Sequence, residues 1–194
     1  MVQNILIVLH AAILVYVLVI VLRIMMTWFG GVAYGRGPEL LAKITDPYLS
    51  FFRRFRFLRF GAMDFSPIGG IVVLWIVYRI IGRIALTGSI TLGYVLSVIV
   101  DEPFRVILFF IGIFMILSLI RLVGDLIGVN TAGQFWLTLD RILEPPAYKI
   151  VAKINAAASY RHALMLFFGI TALTLILGNV LIGSLVGFLA SLPV

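Results

Sequence analysis

The chain has 194 residues, 63% of them hydrophobic and only 12% charged, with a formal net charge of +7 and no cysteine. A soluble domain averages about 45–50% apolar and about 25% charged residues, so this composition excludes a water-solvated globule and gives most of the surface to lipid. The missing cysteine excludes disulfides, thiol catalysis and Cys-based metal sites, and the surplus of positive charge points to anionic lipid headgroups rather than nucleic acid.

A helix that crosses a bilayer needs roughly 20 mainly apolar residues. The runs 5–29, 68–86, 104–127 and 163–181 meet that length, and their continuity, without a period of two, predicts helices rather than barrel strands. The fold class expected is therefore all-α, a polytopic membrane helix bundle. Shorter apolar pieces, 88–100 and 183–192, follow the second and fourth runs. Each extends the preceding helix after a break, lies at the interface or re-enters, with Gly82, Gly88, Gly178 and Gly183 as the expected break points. Ser66-Pro67 reads as N-cap and first helical residue of the second span. Glu102-Pro103 reads as the opening of the third, with acidic side chains suited to a helix N-terminus.

The connections set the expected orientation. Residues 30–66 carry Arg36, Lys43, Arg53, Arg54, Arg56 and Arg59; residues 128–162 carry Arg141, Lys149, Lys153 and Arg161; residues 87–103 carry neither Lys nor Arg. The basic connections are expected in the cytoplasm and both termini outside. Within the first connection, Leu41, Ile44, Tyr48, Phe51, Phe52, Phe55 and Leu58 recur at steps of three and four, a helical apolar stripe. Pro47 is expected to break it into two short helices, with Asp46 capping the second. Aromatic residues would enter the acyl boundary while Arg53, Arg54, Arg56 and Arg59 meet lipid phosphates; the plainer reading makes these arginines topology determinants only.

Sliding the chain against itself without gaps places Arg23 on Arg121, Leu41 on Leu139, Lys43 on Arg141, Ile44 on Ile142 and Asp46-Pro47 on Glu144-Pro145. The order of span, amphipathic connection, span and short apolar piece also repeats. Two tandem repeats are expected, 1–100 and 101–194, each of two transmembrane helices with an interfacial helical connection and in parallel rather than inverted orientation.

The segments "LRIMMTW", "LLAKITDPYLSFFRR" and "MDFSPI" resemble the YGGT family of bacterial and plastid membrane proteins. The family pattern is an Arg near the end of a span, a T-[DE]-P-x-L-x-P-x-R-R stretch, and D-[FL]-S-P opening the next span. Here those positions are Arg23, Thr45, Asp46, Pro47, Arg53, Arg54, Asp64, Ser66 and Pro67, with Phe51 in place of the second Pro. The second repeat keeps Arg121, Glu144 and Pro145 but has Leu143 for Thr, Val151 and Ala152 for the Arg pair, and His162, Leu164 and Met165 for Asp, Ser and Pro. The resemblance implies an integral membrane protein without an established enzymatic reaction; the bacterial inner membrane is the expected location. The resemblance also implies loose links to cell division and envelope organisation, osmotic tolerance and cytochrome assembly in plastids.

Charges within the spans need partners, because an unpaired Arg at the bilayer centre costs about 2.5 kcal/mol or more. Arg23 is expected to bond Asp46, Asp64 or the carbonyls near Thr45, clamping the connection to the bundle; Arg121 would bond Glu144 or Asp125. The competing reading is an anion or phosphate site lined by Arg23 and Arg121. Arg79 stands about 18 Å along the second span from Pro67. Arg83, one turn further on, is expected to reach the outer acids Asp101 and Glu102. Arg79, Arg83 and Asp125 are the candidates for an intramembrane polar site; the alternative is a shifted boundary that takes both arginines to the interface. His10 and His162 fall on opposite sides of the bilayer, which argues for packed imidazoles rather than a haem, and Asn179 is expected to bond between helices.

No nucleophile–base pair, phosphate-cradling loop or metal-ligand set is visible in the sequence, so no cofactor or metal is expected. The function expected is a non-enzymatic scaffold or assembly factor with a basic, aromatic cytoplasmic face. Its expected partners are anionic lipid headgroups together with other membrane proteins or further copies of the chain, not nucleic acid. The alternative is a transport or channel component in osmotic or cation homeostasis.

Overall fold

The computed structural model describes residues 2–28, 36–60, 63–151 and 159–192. Among these are six α-helices: α1 (Val2–Trp28), α2 (Arg36–Phe52), α3 (Ser66–Thr87), α4 (Leu92–Leu126), α5 (Gln134–Val151) and α6 (Tyr160–Ser191). A single 3-10 turn and a two-residue antiparallel pairing, β1 (Arg59–Phe60) with β2 (Met63–Asp64), link α2 to α3. Helices α1, α3, α4 and α6 are long and apolar enough to cross a membrane. Their exposed residues include Val8, Val15, Leu18, Phe109, Ile116, Leu173 and Ile176. In water such a surface would be a heavy free-energy cost, whereas lipid is its natural solvent.

The chain divides into two compact units, Met1–Pro103 with Val186–Val194, and Phe104–Leu185. In the first, α1 and α3 run antiparallel. Gln3 Nε2 donates to the Ala85 carbonyl at 2.9 Å, and the His10 ring stacks on Tyr78 at 3.7 Å with Nδ1 3.1 Å from the Tyr78 carbonyl. Gly82 makes room for that imidazole, since a Cβ there would lie 2.6 Å from the ring. Helix α2 packs against both α1 and α3. In the second unit, Leu139, Leu143 and Ala147 of α5 meet Leu164 and Phe167 of α6 in a core flanked by Phe114, Leu117 and Trp136. Gly124 lets the Trp136 indole approach α4, because a Cβ would overlap the ring.

Several boundaries differ from the sequence expectation. Residues 92–100 of the apolar piece 88–100 belong to the helix that follows it. Helix α3 stops at Gly88, which takes a left-handed φ of 70° and donates to the Ile84 carbonyl, as a glycine does at little cost. Helix α4 then runs unbroken through Glu102 and Pro103, so these residues do not open a span. The proline removes one backbone bond, while Asp101 and Glu102 are held on the helix by the ion pairs described below. Pro47 likewise sits inside one continuous α2 rather than between two short helices, with both neighbouring helices bracing it. The N-cap of α3 is Phe65, and it is the Asp64 carboxylate that accepts the Ser66 N–H at 2.9 Å. Gly82, Gly178 and Gly183 lie within helices, and α6 continues to Ser191. Asn179 bonds the Leu175 carbonyl of its own helix at 2.8 Å instead of a neighbouring helix.

Candidate functional site

Helix α2 carries two apolar stripes. Thr45, Leu49 and Phe52, at i, i+4 and i+7, are buried against the bundle, while Leu40, Ile44 and Phe51 stay exposed, as does Phe55 just past the helix end. The periodic stripe in the sequence mixed these two sets, because steps of three and four fit either side of a helix with apolar residues on both.

Three polar contacts hold α2 in place. Tyr16 of α1 donates to the Ile44 carbonyl at 3.1 Å. Tyr48 of α2 donates to the Gly70 carbonyl of α3 at 2.7 Å, where a Cβ on Gly70 would stand 3.1 Å from the Tyr48 ring. The two tyrosine rings meet edge to face, 5.8 Å apart. Burial, with Tyr16 beside it, pushes the Tyr48 phenol up to about 12, so it remains a donor. The third contact is ionic: Arg23 Nε lies 3.8 Å from Asp46 Oδ1. At the far end of α2, Arg53 Nε stands 3.8 Å from Asp64 Oδ2. Thr45 spends its hydroxyl on the Leu41 carbonyl of its own helix. Two buried side-chain oxygens have no hydrogen-bond partner among the described residues, Asp46 Oδ1 and Ser66 Oγ. Beyond the docked face, Arg53, Arg54 and Arg56 are exposed; the Arg59 side chain and Lys153 lie outside the described part.

In the second unit Arg121 is 7% exposed and tightly held. Its Nε donates to Asp140 at 2.6 Å, its Nη1 binds Asp125, and Tyr160 donates to the same Asp140 oxygen at 2.6 Å. The Trp136 and Tyr160 rings each lie 5.8 Å from the guanidinium carbon. The sequence register pointed to Glu144 or Asp125. Asp125 does pair, but Asp140, one turn before Glu144, takes the other bond, and Glu144 and Pro145 are exposed. The Tyr160 and Trp136 contributions were not read from the sequence, since aromatics in an apolar chain carry no distinguishing signal.

Arg79 rather than Arg83 meets the acids of α4. Its Nη1 donates to Asp101 Oδ2 at 2.5 Å and Glu102 Oε1 at 2.8 Å, and both carboxylates are buried. Arg79 is about 12 Å from the end of α3 by helical rise, so this triad sits well inside the span. Arg83 instead lies over the Tyr94 ring at 5.1 Å. Asp125 belongs to the second unit with Arg121, so of the three residues suggested for one intramembrane site Arg79 and Asp125 join two separate ion-pair clusters, while Arg83 sits on the Tyr94 ring.

Four long lipid-compatible helices, paired intramembrane charges and an amphipathic helix docked at one end define a polytopic, all-helical membrane protein. The sequence model of the CCB3/YggT family matches residues 2–85. The uncharacterized protein ycf19 of Guillardia theta is 36% identical over 74 residues, a stretch covering 38% of this chain and 80% of that protein. No solved structure matches the chain. The chain belongs to the CCB3/YggT family. The matched region contains Arg23, Thr45, Asp46, Pro47, Arg53, Arg54, Asp64, Ser66 and Pro67, and ends before Arg121.

Proposed function

We propose that the chain is a non-enzymatic scaffold or assembly factor for envelope organisation in the bacterial inner membrane. Both termini face outside, and α2 with the segment that follows it forms a basic, aromatic shelf on the cytoplasmic leaflet. The observation that carries this reading is the division of α2 into two faces. One is locked to α1 and α3 through Tyr16, Tyr48 and Arg23; the other leaves Phe51 exposed, and in the segment just after the helix Phe55 is exposed with Arg53, Arg54 and Arg56. Aromatic rings interleaved with guanidiniums match a headgroup boundary or an acidic partner. The absence of Lys and Arg from residues 87–103 supports the orientation.

The same reading takes 1–100 and 101–194 as tandem repeats. Thr45 and Leu143, Leu49 and Ala147, and Ser66 and Leu164 are buried at a common offset, the one that superposes Arg23 on Arg121. The runner-up is a transport or channel component in osmotic or cation balance, with Arg79, Asp101 and Glu102 as its intramembrane charges.

A photo-crosslinking residue at Phe55, in intact membranes, tests the shelf. Capture of phospholipid or a discrete protein neighbour, lost when Arg53, Arg54 and Arg56 are changed to Gln, is expected. Ion flux through reconstituted vesicles that depends on Arg79 would overturn the scaffold in favour of the runner-up. Because the chain has no cysteine, single-cysteine labelling reads the orientation cleanly: Ser89→Cys reacts with an impermeant maleimide from outside and Ser50→Cys does not.

A further inference from the structure

Helix α6 presents one amide to lipid. Asn179 is exposed, and its Nδ2 donates at 2.8 Å to the Leu175 carbonyl one turn back in the same helix. Thr171, Thr174 and Ser184 turn their hydroxyls back on the helix in the same way, and a hydroxyl thereby spends its single donor. An amide does not: Asn179 keeps a second N–H and its Oδ1, with no further bond among the described residues.

Depth makes this costly. No charged side chain follows Arg161, and the sequence is predominantly apolar over 163–190. A hydrocarbon core takes roughly 20 residues of helix, and every window of that length within 163–190 contains Asn179. Asn179 therefore lies among acyl chains wherever the boundaries of the span fall. Acyl chains neither donate nor accept hydrogen bonds, so the spare amide groups are unsolvated there. Polar side chains in spans ordinarily face another helix.

The side of α6 that carries Asn179 is not the side packed in its own unit. Leu164, Phe167 and Thr171 are buried, and Gly178 admits Leu108 of α4, whose Cδ2 would stand 2.7 Å from a Cβ there. Asn179 stands about a quarter-turn round from these residues. With it, three residues before and four after, are Ile176, which is exposed, and Gly183, where no atom comes within 4 Å of the place a Cβ would take. A second backbone can approach Gly183 closely beside the amide.

The chemistry of the amide selects the occupant. This stretch of α6 offers no charge to an ionic partner. A second copy, inserted the same way and related by a two-fold axis along the membrane normal, brings an identical amide to the same depth. An amide is donor and acceptor at once, hence complementary to itself. We propose that the chain pairs with a second copy through the Asn179 face of α6, each Nδ2–H meeting the other copy's Oδ1 and Gly183 letting the helices close. The pairing needs neither the basic shelf nor the orientation of the termini.

Disulfide crosslinking of the full chain in membranes tests it, since the chain has no cysteine of its own. Ile176→Cys should yield a crosslinked species of twice the chain mass on mild oxidation. Leu181→Cys, on the opposite side of the helix from Asn179, should not. Adding Asn179→Leu to Ile176→Cys should suppress the crosslink, and Asn179→Gln, which keeps an amide, should suppress it less. In liposomes, energy transfer between chains labelled at Ser50→Cys gives the dissociation constant, which Asn179→Leu should raise about threefold to twentyfold, the worth of one interhelical amide contact. Unchanged helical content by circular dichroism is the folding control for Asn179→Leu. Equal crosslinking at both positions, a crosslink that Asn179→Leu leaves unchanged, or no energy transfer between wild-type copies overturns the proposal. Crosslinking only to a protein of different mass also overturns it, by giving the amide a different partner.

Discussion

Tyr48 on α2 donates its hydroxyl to the Gly70 carbonyl on α3 across 2.7 Å, and Gly70 has no side chain to hold the two helices apart. The bond and the close approach depend on each other, and together with Tyr16 they seat α2 in the groove between α1 and α3. Tyr48→Phe should keep the packing and lose the bond, a cost of about 1 kcal/mol. Gly70→Ala should crowd Tyr48 and Leu49 at a cost of about 1–3 kcal/mol. Both should speed tryptic cleavage at Arg53 and Arg54 in the purified protein. Unchanged cleavage in Gly70→Ala would show that α2 is not seated on α3.

The same phenol gives a pH dependence. Tyr48 ionises at about 12 in the folded chain against an ordinary value of 10.0, so folding favours its protonated form. The stabilisation is complete below pH 10.0 and is lost as pH rises through about 12. Protection of Arg53 and Arg54 from a protease active in alkali should fall across that window in wild type. In Tyr48→Phe the profile should be flatter, and identical profiles would remove Tyr48 from the docking.

Arg79 holds two buried carboxylates, so removing it should be severe. Arg79→Leu removes the guanidinium that the buried carboxylates of Asp101 and Glu102 share, at a cost of about 3–5 kcal/mol. Adding Asp101→Asn and Glu102→Gln to that variant should recover much of the loss, whereas Arg83→Leu, which gives up a ring contact, should cost about 1 kcal/mol. Thermal unfolding in detergent ranks the variants. Equal effects of Arg79→Leu and Arg83→Leu would contradict the triad.

Gly82 and His10 should behave as a coupled pair. Gly82→Ala places a methyl 2.6 Å from the imidazole and should destabilise by roughly 1–3 kcal/mol. In a His10→Ala background the same change should cost less, because the ring it meets is gone. A double-mutant cycle measures the coupling, and additive costs would mean that the ring shifts freely aside.

The Arg23 and Arg121 sites should differ in their sensitivity to substitution. Arg121→Leu strips Asp125 and Asp140 of a shared partner and should cost about 3–5 kcal/mol. Arg23→Leu breaks only a longer, partly exposed pair and should cost about 1 kcal/mol in lipid-free detergent. A reversed order in thermal unfolding would refute the distinction drawn between the two sites.

The amino-acid sequence by itself determined the membrane class, the lipid-compatible helices and the amphipathic character of α2, because these depend on composition and periodicity along the chain. Its motif also identified the family. Tertiary structure decided which arginine meets which acid: Arg79 instead of Arg83 for Asp101 and Glu102, and Asp140 instead of Glu144 for Arg121. Residues one helical turn apart look alike to periodicity, and only the packed register of two helices separates them. It also decided that Pro47 and Pro103 remain inside helices, since neighbouring elements outweigh a local preference to break. The unmatched oxygen of Asp46 belongs to the same class of facts, for a missing partner is defined only once every surrounding atom has its place.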